Sequence, residues 1–246
     1  MDFISDVIEG GRRQRGFSLA VDGRRVPGLL WTRAGGSARR PLVLVGHGGS
    51  QHKASDAVLD VVGPLVDEHG FAVAAIDGPI HGDRRADGGR DSGKVILEFR
   101  ALWNAEPMIE EMVADWRATT SALLAAPEID AQAIGWFGIS MGTAYGLPLC
   151  AADSRIRAAL LGMWGTSHTH GARLLAAARE VRCAVLFQRK RDDERFTAAG
   201  QQELFDALGS RDREMRVYEG GHVNPAGVQL RDGIDFLVRA LAAGAA

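Results

Sequence analysis

Cysteine is scarce: the 246 residues contain two, Cys150 and Cys183. Two thiols make neither a disulfide framework nor a zinc site. Both sit in apolar stretches, Leu147-Pro148-Leu149-Cys150 and Cys183-Ala184-Val185-Leu186-Phe187. They read as small buried hydrophobes in a reducing compartment. A basic excess is also missing. Lys and Arg number 29 against 31 Asp and Glu, a formal charge of −2. That balance argues against a dedicated nucleic-acid binder and against strong steering of charged ligands. No run of about 18 apolar residues occurs, so no membrane span is expected. The start, Met1-Asp2-Phe3-Ile4-Ser5-Asp6, carries two acids and no long apolar run, unlike a secretory signal. The expected location is the cytoplasm. Nucleotide fingerprints fail as well. Gly46-His47-Gly48 would need its third glycine at Gln51, and no Gly-Lys-Ser/Thr phosphate loop is present.

What is present suits an ordinary globular protein. Hydrophobic residues are 46% and charged residues 24% of the chain, enough apolar material for a large core without staples. The length fits one domain, residues 1–246. Phe17 to Val21 and Val26 to Trp31 flank Asp22-Gly23, a hairpin signal, and Gly35-Gly36-Ser37 reads as a turn. From Pro41 onward, short apolar runs alternate with helical patterns. Strands are expected at Leu42–Val45, Phe71–Ile76, Ala133–Phe137, Arg157–Met163, Val181–Gln188 and Met215–Tyr218. Helices are expected at Ser55–Val66, Ile109–Ala126, Met141–Ala151, Ala198–Leu208 and Gly227–Ala243. Continuous apolar strands imply burial on both faces, hence a mostly parallel α/β sheet with helices on both sides. Residues 82–107 form an insertion, a candidate lid or a surface loop. Trp103 and Met108 are candidates for an apolar pocket or for lid core. The closing helix is a candidate homodimer surface, or packs on its own sheet.

In such a sheet, ligands bind beyond the carboxyl ends of the strands. One loop there reads Gly138-Ile139-Ser140-Met141-Gly142, a G-x-S-x-G between a strand and a helix. Ser140 on so sharp a turn projects its hydroxyl above the sheet. The residues two before and two after it must be small. The helix beginning at Met141 aims its dipole at developing negative charge. A serine needs a base. His222, in Glu219-Gly220-Gly221-His222, follows the last strand, on glycines that let the loop swing back. His52 and His69 are expected in solvent, and His47 is expected to shape its loop by hydrogen bonding. The histidine in turn needs a carboxylate. The loop after Val181–Gln188 offers Asp192, Asp193 and Glu194. Asp193 is favoured over Asp192 because Phe196, three residues on, can anchor the loop. Glu194 and the remaining aspartate are expected to be surface charges. His168-Thr169-His170 invites a metal, but no H-E-x-x-H or H-x-x-E-H partner is present. No metal is expected, and the pair is placed at the pocket mouth.

The order Ser140, Asp193, His222, with His47-Gly48-Gly49-Ser50, Asp77-Gly78-Pro79, His81-Gly82 and Gly220-Gly221-His222, resembles the α/β-hydrolase superfamily. Within it the chain looks most like the dienelactone hydrolase-like and prolyl-oligopeptidase-related esterases, over nearly its whole length. The resemblance implies an α/β-hydrolase fold with an N-terminal antiparallel hairpin. It implies a serine hydrolase of small to medium carboxylic esters that needs no cofactor. Thioester, lactone or amide cleavage, acyl transfer, and non-catalytic binding of a small molecule are alternatives on the same scaffold. It also implies an oxyanion hole from the N–H of Met141 and of Gly49, with Ser50 as the alternative to Gly49. True dienelactone hydrolases use a cysteine where this chain has Ser140, which favours an ordinary ester.

Overall fold

The computed structural model describes residues 3–35 and 38–242. The Gly36-Ser37 part of the expected turn and Ala243 of the expected last helix lie outside them. Nine strands form one sheet in the order β1-β2-β3-β5-β4-β6-β7-β8-β9. Strands β4 (Arg40–Gly46), β5 (Ala72–Ile76), β6 (Ile129–Gly138), β7 (Ile156–Gly162), β8 (Ala184–Lys190) and β9 (Arg213–Tyr218) run parallel. Strands β2 (Arg12–Val21) and β3 (Arg24–Arg33) form the expected hairpin, longer than its apolar stretches suggest. A further strand, β1 (Phe3–Glu9), adds to β2 antiparallel. Its side chains are almost all exposed, so its strand state comes from backbone pairing with β2 rather than from a buried face.

The parallel strands are apolar on both faces because both are covered. Along β4, Leu42 and Leu44 belong to one core and Val43 and Val45 to the other, as the two-residue period of a strand requires. The second core is closed by α1 (Asp56–Gly63) and α7 (Val228–Ala242). The first is closed by α2 (Ser92–Ala105), α3 (Ile109–Leu123), α4 (Met141–Ala152), α5 (Gly171–Glu180) and α6 (Ala198–Asp206). The expected helix over Ser55–Val66 divides. α1 stops at Gly63 and a π-helical turn, Pro64–Glu68, follows. Pro64 has no amide hydrogen, and its ring crowds the carbonyl four residues back, which widens the turn. The insertion contains α2 instead of being loop throughout. Asp91 caps it by accepting the Lys94 N–H at 2.7 Å. Cys150 is buried as expected, while Cys183 is only partly so; both are free thiols.

Chain order reverses direction in the sheet between β4 and β6: β5 lies on one side of β4, and β6 and its successors on the other. That is the switch point at which loops part to leave a crevice. The loops after β4 and β6 border it, joined by those after β8 and β9.

Candidate active site

Ser140 sits between β6 and α4 with φ 60° and ψ −120°. This is a strained conformation for an L-residue, costing about 1–3 kcal/mol. The surroundings force it. A Cβ on Gly138 would lie 2.6 Å from the Gly142 carbonyl oxygen, and one on Gly142 would lie 2.4 Å from the Gly46 carbonyl oxygen. Only glycine lets β6, α4 and β4 approach this closely. The turn is tied to β7. Ser140 N–H donates to Gly162 O at 3.0 Å, and Gly162 N–H donates to the buried Thr143 hydroxyl at 2.7 Å.

The loops after β8 and β9 bring the other two expected residues to this point. Ser140 Oγ lies 2.9 Å from His222 Nε2. His222 Nδ1 lies 3.0 Å from both carboxylate oxygens of Asp193. A carboxylate only accepts, so Nδ1 carries the proton and Nε2 is left to accept from serine. The Asp193 side chain is 2% exposed and that of His222 7%. Burial pushes the Asp193 carboxyl up, but the His222 hydrogen bond and the Phe196 and Arg195 N–H groups outweigh it. The carboxyl is held below its ordinary range and stays ionised at neutral pH. Asp192 is exposed and its side chain takes no part. Phe196 anchors the loop as expected. It is buried against Trp164, ring centroids 4.5 Å apart.

Glu194 corrects an expectation. It is not an idle surface charge: its carboxylate accepts the backbone N–H of His222 at 2.8 Å. It also explains Gly221, whose Cβ would sit 2.8 Å from Glu194 Oε2. Sequence gave no signal for this contact, because donor and acceptor lie 28 positions apart on two loops. Gln51 was missed likewise. Its oxygen accepts Gly48 N–H at 2.9 Å while its amide donates to Asn224 at 2.7 Å, linking the β4 loop to the loop carrying His222.

The Gly49 loop rests on buried polar groups. His47 Nε2 accepts the Gly78 N–H at 3.0 Å, so its Nδ1–H donates to Gly48 O at 2.9 Å. His81 Nε2–H donates to Gly49 O at 3.0 Å. Burial drives the His47 imidazole down to about 4 and the His81 imidazole down to about 3. Both are neutral bracing groups, the role expected of His47. Beneath them Asp77 accepts the Lys53 ammonium at 2.6 Å and the Asp83 N–H at 2.8 Å. Neither Gly49 N–H nor Met141 N–H donates to an acceptor among the described residues. His52 is half-buried rather than solvated, and its ring accepts the Ala54 N–H; His69 is exposed as expected.

Ser140 and His222 open into a cavity of about 450 Å³, bordered also by Gly49, Ile96, Phe99 and Trp103. α2 therefore places the insertion over the site, and Trp103 belongs to the wall. Met108 does not border it. Of the His168–His170 pair only His168 does; its Nε2 pairs with Arg195 O at 2.7 Å, while His170 packs on Trp103. Among the described residues, no group of three or more His, Cys, Asp or Glu is placed to hold a metal. No helix among them is long and apolar enough to cross a membrane.

No family model and no curated protein matches the sequence. Solved structures do. A cold-adapted esterase from an Arctic intertidal metagenomic library, in its polyethylene-glycol-bound form, is 36% identical. Its match covers 98% of this chain and 100% of that one, with TM-score 0.87. An acetyl xylan esterase from Paenibacillus sp. R4 is 16% identical over 99% and 87% of the two chains, with TM-score 0.72. A dienelactone hydrolase from Anabaena variabilis is 17% identical over 95% and 99%, with TM-score 0.70. The last two share the fold, and the first is a relative along its entire length. The chain therefore belongs with that esterase, as an esterase-type hydrolase on the α/β-hydrolase fold that the dienelactone hydrolase also has.

Proposed function

We propose that the protein cleaves small to medium carboxylic esters through Ser140, His222 and Asp193 by way of an acyl-enzyme. The supporting observation is the continuous chain of hydrogen bonds from the Ser140 hydroxyl through His222 to a buried, ionised Asp193. His222 Nε2 takes the serine proton as Oγ bonds to the ester carbonyl carbon. Charge builds on the carbonyl oxygen, which the N–H groups of Met141 and Gly49 receive. The bond to the alcohol oxygen then breaks, and the imidazolium hands its proton to the departing alcohol. Water adds to the acyl carbon with His222 again as base, and Ser140 leaves with that proton. Asp193 holds the imidazole in the required tautomer and steadies its charged form. From the insertion at residues 82–107, α2 contributes Ile96, Phe99 and Trp103 to the wall of the cavity. The test is Ser140→Ala with 4-nitrophenyl acetate. Turnover falls by more than about a thousandfold while circular dichroism is unchanged. Retained turnover in a folded variant contradicts the assignment.

A further inference from the structure

Aromatic residues are only 7% of the sequence, and Phe99, Trp103, Trp164 and Phe196 among them border this cavity. Beginning at His222, the rings follow one another along its wall. His222 to Phe196 is 5.5 Å between centroids, Phe196 to Trp164 4.5 Å, Trp164 to Trp103 5.0 Å, and Trp103 to Phe99 6.1 Å. All five border the cavity. They arrive from α2, from the turn after β7 and from the loops after β8 and β9, so the arc is assembled by the fold. None of the two phenylalanine and two tryptophan side chains is more than 5% exposed. Packing therefore fixes their orientation before any ligand enters, which lowers the ordering cost of binding.

Such a wall distinguishes an aromatic ring from a saturated one. Ring faces are negative and ring edges positive, so an aromatic ring of the ligand finds edge-to-face and offset partners here. A cyclohexyl ring buries as much apolar area and has no such quadrupole. The position of His222 decides which half of the ester lies against the arc. Its Nε2 must protonate the departing alcohol oxygen, so the alcohol lies on the imidazole side, and the ring beside the imidazole is Phe196. The opposite side is bounded by Gly49 with Ile96 and Phe99, whose side chains stand 2.9 Å and 2.8 Å from where a Cβ at 49 would lie, closer than a side chain there could tolerate. A cavity of about 150 Å³ accommodates benzene, so the volume here holds a ring together with its ester group.

Resting on the ester-cleavage reading above, we propose that the preferred substrates are esters of arylmethyl alcohols, with the aromatic ring seated against Phe196, Trp164 and Trp103. The bond broken is that between the acyl carbon and the alcohol oxygen. Water supplies the oxygen retained by the acid, and its protons balance the released alcohol and the acid.

The experiment compares benzyl acetate with cyclohexylmethyl acetate, each kcat/KM divided by that ester's hydroxide-catalysed rate. Methyl phenylacetate against methyl cyclohexylacetate serves as the acyl-side pair. The benzyl ester is expected to lead its saturated twin about tenfold, the size of one or two aromatic contacts, with the acyl-side ratio near unity. Trp164→Leu and Phe196→Leu each bring the benzyl ratio toward unity. A ratio at or below one in the unaltered protein overturns the proposal, since that is what apolar area alone produces. An aromatic preference confined to the acyl-side pair overturns it too. Absence of turnover for every ester defeats the underlying reading instead, and is seen separately from a missing preference.

Discussion

Replacing Thr143 by valine removes one hydroxyl and preserves shape and β-branching, so its effect isolates a hydrogen bond at the base of the serine turn. Thr143 is fully buried. Its oxygen accepts Gly162 N–H at 2.7 Å, and its single proton is within reach of Gly138 O at 2.8 Å and Gly162 O at 2.7 Å. Gly162 O keeps the Ser140 N–H in the variant. Gly162 N–H is left without its partner. An orphaned buried N–H costs about 1–3 kcal/mol, and the lost donated bond about 1 kcal/mol more. The expected loss is therefore about 2–4 kcal/mol, a fall in Tm of about 5–15 °C for a chain of this length. Because the same bond ties the Ser140 turn to β7, kcat falls along with stability. Thr143→Ser keeps the hydroxyl and gives up one methyl, which costs about 1 kcal/mol. Urea and thermal unfolding of the two variants, with ester turnover measured alongside, decide the matter. If valine is tolerated as well as serine, or costs less than about 0.5 kcal/mol, the hydroxyl does not hold the turn and the reasoning is wrong.

Glu194→Ala frees the His222 backbone N–H and is expected to lower kcat several-fold with little change in unfolding midpoint. Glu194→Gln, whose amide oxygen can accept the same N–H, restores most of the rate. Equal activity in all three proteins contradicts a positioning role. Acid lability follows from His47 and His81. Their folded-state values lie near about 4 and about 3, while an unfolded histidine takes its proton near ~6.5. Between those limits the unfolded chain binds more protons. Stability is therefore full above about pH 6.5 and declines as pH falls toward 4, by up to about 1.4 kcal/mol per pH unit for each imidazole. Thermal midpoints measured from pH 7.5 to 4.5 should trace this fall, with a shallower slope in His47→Gln; a flat profile, or no change of slope, contradicts it.

The parts of the molecule legible in the sequence were those encoded locally. Gly138 to Gly142 carries its own evidence, since the two glycines answer contacts made within the turn itself and with the adjacent β4. The parallel strands were legible because burial on both faces leaves no polar alternation. The helix α5 was not. Its buried face is small, Gly171, Leu174 and Ala178, in a segment dominated by alanine and arginine with only two leucines. β1 was not legible either, because Phe3 alone of its side chains packs against a core and the rest are exposed. At the site, the loop after β8 was identifiable, and Phe196 pointed to Asp193. What separates Asp193 from Asp192 physically is which carboxylate faces an imidazole on a different loop, and Glu194 and Gln51 owe their roles to the same loop-to-loop contacts. Local sequence cannot carry that information, since it is fixed only when the sheet brings the loops together.

The most direct measurement is covalent labelling by a fluorophosphonate followed by peptide mass spectrometry. A hydroxyl activated by the neighbouring imidazole reacts at once, so the adduct is expected on Ser140 alone, with labelling lost in His222→Ala. An adduct on another residue, or an unlabelled Ser140 in protein that still cleaves esters, would contradict the account.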